Sequence, residues 1–177
     1  MFFNPQPLFV IVGYPNSGKR KVLQEIFARK HFFPLKDPFI PVVFPQNKFV
    51  VINRTNHRGA SDMFCTHLSQ VLRRHIFSSA AFMLMLSFIL DGGRRDARQV
   101  VQYLEASGFL VHYLVLAGSW EDKRVLAEEA LEPLQAAVRH GRIHYFDRLV
   151  TRSPLRFQQR TEEIIAVIRE VLGGSCR

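Results

Sequence analysis

Residues 8–19 read LFVIVGYPNSGK, and this stretch decides the fold. Its first part, Leu8 to Val12, is a short apolar run rich in β-branched residues, which predicts a buried β-strand. A glycine ends the run. From Lys19 to Arg29, apolar side chains such as Val22 and Ile26 recur at helical spacing, which predicts a helix. A strand, a short turn with two glycines and a helix therefore follow one another near the start of the chain.

The turn between this strand and helix suits a phosphate group. It has the spacing Gly13-x-x-x-x-Gly18-Lys19, directly after a predicted strand and before a predicted helix, and that context gives the pattern its meaning. Gly13 permits a tight turn, Gly18 lets the backbone approach a ligand, and the helix N-terminus adds partial positive charge. We expect phosphate contacts from Gly13, Tyr14, Pro15, Asn16, Ser17, Gly18, Lys19 and Arg20. The predicted ligand is a nucleotide, with GTP or GDP and ATP left open.

The residue after the lysine departs from the usual pattern. A Ser or Thr at this place normally supplies a hydroxyl ligand to Mg²⁺. The guanidinium of Arg20 carries donors only, so it cannot ligate a metal. It either neutralises phosphate charge or points away from the ligand. The sequence therefore predicts weak or absent Mg²⁺-dependent hydrolysis and leaves open whether the protein is an enzyme.

Strands and helices alternate along the rest of the chain. Apolar periodicity predicts further strands at residues 40–44, 49–53, 82–90, 110–116 and 143–146, and further helices at residues 62–77, 95–107, 122–139 and 157–172. The short polar gap at residues 45–48 predicts an antiparallel hairpin. The predicted fold is α/β, a single domain over residues 1–177. It is a three-layer α/β/α sandwich with a six-stranded, mostly parallel sheet and one antiparallel hairpin, whose ligands bind at the carboxyl ends of the strands.

The Gly13–Lys19 loop resembles the phosphate loop of the translation-factor-related GTPases, whose bacterial ribosome-associated members often read G-x-P-N-x-G-K-[ST]. The similarity in letters covers residues 9–23. The predicted layout, with one hairpin in an otherwise alternating domain, resembles a Ras-like G domain across the whole chain. The resemblance implies the P-loop NTPase fold and a GTP-binding switch or scaffold.

The other motifs of that family are eroded. Asn53 stands where the resemblance places a metal-linked aspartate, and His57 stands at the water-orienting position of translational GTPases. Asp122 follows the strand after which the guanine-reading motif belongs, so the resemblance implies a contact to the base. The alternatives are an exposed loop histidine and a helix-capping aspartate. These losses are typical of a pseudoGTPase that binds nucleotide with little turnover.

Residues 87–91 offer a competing resemblance. They look like a Walker B strand, and the following Asp91 to Arg95 stretch resembles the D-x-R-R segment of small P-loop kinases. That resemblance implies that Asp91 acts near a metal and that the arginines bind substrate phosphate. The predicted hairpin argues against it, because it replaces the helical substrate-binding segment of such kinases. The alternative for Asp91 is a strand-end aspartate that bonds loop amides. A third hypothesis is an interaction module that binds no nucleotide.

The composition narrows the partners and the compartment. The formal net charge is +9 and the isoelectric point is about 10.2, which favours nucleotides, RNA, an anionic membrane surface or an acidic protein partner. The only cysteines, Cys65 and Cys176, lie too far apart in sequence to suggest a disulfide framework, so we expect a reducing, cytoplasmic setting without a signal peptide. The most apolar run, residues 80–90, is shorter than the roughly 20 residues of a membrane-spanning helix.

Overall fold

A parallel sheet forms the centre of the protein. The computed structural model describes residues 6–29 and 37–174. Within them the sheet has five strands: β1 (Pro7–Gly13), β2 (Phe49–Ile52), β3 (Ala81–Ser87), β4 (Leu110–Leu116) and β5 (Arg142–Phe146). They are all parallel, in the order β2-β3-β1-β4-β5. The first strand therefore lies in the middle, and its last residue, Gly13, is level with Ser87 at the end of β3.

Helices cover both faces of this sheet. They are α1 (Lys19–Ile26), α2 (Ser61–His75), α3 (Ala97–Glu105), α4 (Glu132–Ala137) and α5 (Pro154–Gly174). Side chains alternate between the faces of a strand, so Val10 joins α2, α3 and α4 in one apolar cluster, whereas Ile11 joins α1 and α5 in the other. The predicted three-layer arrangement is confirmed. No helix in the described part of the chain is long and apolar enough to cross a membrane.

The predicted antiparallel hairpin is wrong. Residues 40–44 form turns rather than a strand, and the N–H of Phe44 donates to the carbonyl of Pro41. The prolines of this segment lack the N–H groups that a strand ladder needs. An isolated antiparallel bridge between Phe39 and Phe49 is what forms there. Among the described residues the sheet consequently has five strands, not six, and none of them is antiparallel.

The predicted helix over residues 122–139 is wrong in its first half. Val125 instead makes an isolated bridge with Gly118, and a 3₁₀ turn at Glu128–Leu131 precedes α4. Pro133 lies in the first turn of α4. Proline is tolerated there but not inside a helix, because it lacks an N–H and its ring clashes with the preceding turn. The proline therefore marks where this helix begins.

Two histidines face each other on neighbouring strands, β4 and β5. His112 Nδ1 lies 3.1 Å from His144 Nε2, and the His112 ring also packs 5.5 Å from the ring of Phe9. The side chain of His112 is 2% exposed. Burial lowers the pKa of His112 to about 4, and the positive charges of His144 and Arg142 add to the effect. The ring is thus held in its neutral form at physiological pH.

Acid is expected to weaken the fold through His112. Its pKa falls from 6.5 in the unfolded chain to about 4 in the folded chain, so between these values the unfolded chain binds more protons. The free energy of unfolding is therefore not reduced by His112 above pH 6.5, and it declines as the pH falls towards 4. The loss is about 2 kcal/mol at pH 5. Urea unfolding of wild type and His112→Leu at pH 7.5 and pH 5 measures this loss. The exposed His140→Leu variant is the control, and an equal pH response in all three proteins would contradict the assignment.

Candidate functional site

The Gly13–Lys19 loop joins the end of β1 to the start of α1, as the sequence predicted. It turns tightly, because Asn16 (φ 61°) and Gly18 (φ 89°) both adopt left-handed conformations and the N–H of Ser17 donates to the carbonyl of Tyr14 at 3.1 Å. A Cβ atom on Gly18 would lie 3.0 Å from Cβ of Trp120. Both the backbone angle and this close approach therefore require glycine at position 18.

Lys19 is a buried cation bonded to neutral groups. Its side chain lies beneath the loop and Lys19 is 5% exposed. The ammonium donates to the carbonyl of Gly13 at 3.1 Å and to the carbonyl of Tyr14 at 2.6 Å. Burial lowers the pKa of Lys19 to about 7, and Arg124 lowers it further by repulsion. The ion pairs of the described residues do not include Lys19, so no protein carboxylate offsets this charge.

Ser17 adds an unused hydroxyl beside the lysine. The residue is 2% exposed, and its Oγ has no hydrogen-bond partner among the described residues. Buried hydroxyl groups are nearly always paired in folded proteins, so an orphan of this kind requires an explanation. Ser17 and Lys19 line the same cavity. The wall of the cavity at the start of α1 therefore contains an unpaired hydroxyl and a buried ammonium.

That cavity has a volume of about 900 Å³, near the upper end of the range for small-molecule sites. It runs from the Gly13–Lys19 loop to the segment between β2 and α2. Its charged and titratable lining is almost entirely basic, with a single carboxylate, Glu121: Lys19, Arg20, Lys21, Arg54, Arg58, His57 and His67. The excess of positive charge suits an anionic ligand.

His57 lies in this cavity within a chain of polar side chains. Its Nδ1 is 3.0 Å from Oγ of Ser87, which in turn is 2.9 Å from Oγ1 of Thr55. Burial lowers the pKa of His57, and repulsion from Lys19, Arg58 and Arg95 lowers it further. A neutral imidazole anchored at Nδ1 by a hydroxyl group is suited to exchange a proton through its other nitrogen. The structure thus brings His57 to Lys19, but it does not test a catalytic role.

Asn56 fixes the segment that carries His57. It is fully buried, and its amide donates to the carbonyls of Ser87 (3.0 Å) and Arg95 (2.8 Å) while its Oδ1 accepts from the N–H of Ser87 (2.8 Å). The side chain therefore ties the wall of the cavity to the end of β3 and to the turn before α3. Sequence reasoning missed this role, because the partners of Asn56 lie more than 30 positions away.

The loop after β4 closes the other side of the Gly13–Lys19 loop. The N–H of Trp120 donates to the carbonyl of Ser17 at 3.2 Å, and the Arg124 guanidinium donates to the carbonyl of Pro15 at 3.2 Å. The ammonium of Lys21 lies 3.1 Å from the centroid of the Trp120 ring, a cation–π contact. The residues that follow β4 and those that begin α1 consequently form one packed unit.

The predicted site residues fall into two groups. Asn16, Ser17, Gly18, Lys19, Arg20, Asn53 and His57 line the cavity, with Gly13, Tyr14 and Pro15 in the adjoining loop. Asp91 does not line it: it is exposed, and its Oδ1 accepts from the N–H of Gly93 at 2.8 Å. The strand before it ends at Ser87, not at Leu90. The two residues proposed for Mg²⁺, Asn53 and Asp91, are thus not brought to one cavity.

Asp122 also lies outside the cavity lining. Its carboxylate accepts from the N–H of Arg124 at 2.9 Å and from its Nε at 2.7 Å. Helix capping by Asp122 is wrong, because no helix begins there. The carboxylate instead orients the guanidinium that donates to Pro15, and a contact to a base stays a prediction.

Comparisons of the chain with protein-family models, with curated proteins and with solved structures gave no match. The fold that the structure shows is a parallel α/β fold with a five-stranded sheet flanked by helices. Its candidate site is the basic cavity beside the Gly13–Lys19 loop.

Proposed function

We propose that the protein binds the phosphate groups of a nucleotide at the Gly13–Lys19 loop, with weak or absent Mg²⁺-assisted hydrolysis, as a switch or scaffold. One observation carries the proposal. Lys19 is a buried cation held by two neutral carbonyls, next to the unpaired buried hydroxyl of Ser17. Leaving a buried charge without a counter-charge is costly, and a phosphate oxygen removes that cost with short, charge-assisted hydrogen bonds.

The start of α1 supports the same ligand. The first N–H groups of a helix have no acceptor within the helix, and here they follow the turn of Ser17 and Gly18. Together with the partial positive charge of the helix end, they form an anion-binding site. A phosphate at this place would therefore be held by backbone and side-chain donors together.

The predicted weakness of hydrolysis rests on Arg20. Its exposed side chain lines the cavity at the position where a hydroxyl would ligate Mg²⁺. A guanidinium offers no electron pair to a metal but does neutralise phosphate charge. In the GTPases that the Gly13–Lys19 loop resembles, Mg²⁺ neutralises phosphate charge during hydrolysis. We infer that positive side chains take over much of that neutralisation here. Binding in EDTA should then be nearly as tight as binding with Mg²⁺.

A second candidate function is phosphate transfer from ATP to a small molecule. Two observations favour it: the hairpin that argued against a small kinase does not form, and the cavity continues beyond the loop to Arg54 and His57. Asp91, the residue suggested by the kinase resemblance, lies outside that cavity, so His57 is the proposed proton acceptor. ATP consumption that depends on an added acceptor would distinguish this function from simple binding.

Nucleotide binding is expected to take up a proton. In the ligand-free protein the pKa of Lys19 is about 7, so at pH 8.5 its amine is mostly neutral. A bound phosphate favours the ammonium and raises that pKa, which requires uptake of nearly one proton. The affinity should accordingly fall by up to about tenfold for each pH unit above 7.

Isothermal titration calorimetry tests this coupling. ATP and GTP are titrated at pH 8.5 in EDTA, in two buffers with different ionisation enthalpies, and the exposed-site variant Lys48→Ala is the control. A difference in observed enthalpy that corresponds to nearly one proton is the expected result. If neither ATP nor GTP binds at pH 7, the proposed function is overturned and the interaction-module hypothesis remains. Binding without proton uptake would show that Lys19 does not contact the phosphate.

A further inference from the structure

A second basic cluster lies in the same cavity, away from the Gly13–Lys19 loop. We call Arg54, Arg58 and His67 the distal basic cluster. The two arginines belong to the segment between β2 and α2, and His67 belongs to α2. All three line the cavity, and neither arginine forms an ion pair with any described residue. The two arginines therefore line the cavity as cations that form no ion pair with the described residues.

A nucleotide phosphate at the loop does not account for this cluster. Lys19 and Arg20 follow β1, whereas Arg54 and Arg58 follow β2, which β3 separates from β1 in the sheet. Arg54 and His67 are close enough to interact: burial lowers the pKa of His67, and the charge of Arg54 lowers it further. Like charges that face one cavity raise the free energy of the empty protein. An anion near the distal basic cluster would remove this repulsion.

The segment that carries the arginines is rigidly held. Asn56, midway between Arg54 and Arg58, hydrogen-bonds to the backbone of Ser87 and Arg95. The backbone on both sides of it is thereby fixed against β3 and the turn before α3. A ligand that binds to the two arginines need not order this segment, which lowers the entropy cost of binding.

We propose that the distal basic cluster binds the phosphate group of a second small molecule, at the same time as a phosphate occupies the Gly13–Lys19 loop. A guanidinium recognises phosphate by two parallel hydrogen bonds, and the cavity volume of about 900 Å³ accommodates more than one phosphate group. Simultaneous occupancy rests on the proposed function. The distal site itself rests on Arg54, Arg58 and His67 alone.

Calorimetric titration with inorganic pyrophosphate at 150 mM salt tests the proposal. The wild-type protein is expected to bind two equivalents. Lys19→Met should keep one equivalent, and Arg54→Ser/Arg58→Ser should keep the other, with the lost site weakened at least about tenfold. The matched control is Arg73→Ser/Arg74→Ser, which removes the same charge from exposed positions of α2 outside the cavity and should keep both. Thermal unfolding confirms that each variant is folded.

The two proposals fail in different ways. The wild type could bind a single equivalent that Lys19→Met loses and Arg54→Ser/Arg58→Ser keeps. That result overturns the distal site and leaves the proposed function standing. One equivalent that both variants weaken shows a single bridging ligand and overturns simultaneous binding. Two equivalents kept in Lys19→Met, with one lost in Arg54→Ser/Arg58→Ser, support the distal site and contradict the proposed function. Equal losses in the Arg73→Ser/Arg74→Ser control show nonspecific charge attraction and overturn the distal site.

Discussion

Replacing Lys19 with methionine is expected to abolish phosphate binding at the Gly13–Lys19 loop and to stabilise the ligand-free protein. Binding should weaken about 100-fold or more, because at least two charge-assisted hydrogen bonds are lost. The gain in stability has a separate cause. Folding lowers the pKa of Lys19 from 10.5 to about 7, and this shift corresponds to at most about 5 kcal/mol against folding below pH 7. Methionine keeps the length of the side chain without this cost.

The substitution leaves no carbonyl without a partner. The carbonyl of Gly13 also accepts from the N–H of Phe88 at 2.9 Å, and that of Tyr14 accepts from the N–H of Ser17 at 3.1 Å. After allowance for the two lost hydrogen bonds, we expect Lys19→Met to raise the free energy of unfolding by about 1–4 kcal/mol at pH 6.5.

The pH dependence identifies the source of this gain. Because the folded-state pKa of Lys19 is depressed, the unfolded chain binds more protons between pH 7 and 10.5, and wild-type stability rises over that range through this group. The advantage of Lys19→Met should therefore shrink at pH 9.5. Urea unfolding at both pH values measures it, with the exposed Lys48→Met as the control. A variant less stable than wild type at pH 6.5 would show that Lys19 stabilises the fold and would contradict this account.

Asn56→Ala is expected to cost about 2–4 kcal/mol of stability. The change strands the N–H of Ser87 and the C=O of Arg95, both of which Asn56 satisfies from a buried position. The C=O of Ser87 keeps the bond that it accepts from the N–H of Ile89 at 3.0 Å. An unsatisfied buried backbone group costs about 1–3 kcal/mol, and water that enters the gap would recover part of it. The end of β3 should open first, since its last residue loses two bonds.

Two measurements separate this effect from a general loss of packing. Urea unfolding gives the total cost, and hydrogen exchange of the Ser87 amide should become faster in Asn56→Ala before the rest of β3 is affected. Asn47→Ala, in a turn outside the cavity, is the matched control and should change stability by less than about 0.5 kcal/mol. Protection of the Ser87 amide equal to wild type would show that Asn56 does not hold the strand end.

The elements with continuous local signals were predictable from the sequence. The strands β1 and β4 appear as apolar runs whose limits match the structure to within a residue, because strands buried on both faces need apolar side chains throughout. The apolar run of residues 40–44 resembles such a strand in composition. Val42 within it is nevertheless 89% exposed, since the prolines prevent a ladder along the outer side of β2, the last strand of the described sheet.

The candidate site was predictable only where it is local. The Gly13–Lys19 loop is one uninterrupted stretch, so its spacing reveals its geometry. The end of β3 was not predictable, because the apolar run continues to Leu90. In the structure β3 ends at Ser87: the N–H of Phe88 donates to the carbonyl of Gly13, and the N–H of Ile89 donates to the carbonyl of Ser87. The positions of Arg54 and Arg58 in the cavity depend on how β2 and α2 meet the loop. No pattern within one segment reports such an encounter.

The contact between Lys21 and Trp120 gives the protein a built-in optical reporter. Trp120 is the only tryptophan in the chain. The ammonium of Lys21, two positions after Lys19, lies 3.1 Å from the centroid of its indole ring. An anion bound at the start of α1 would compete for that ammonium and would alter the electric field across the ring. Emission from one native fluorophore would then follow occupancy of the site in real time, without a label.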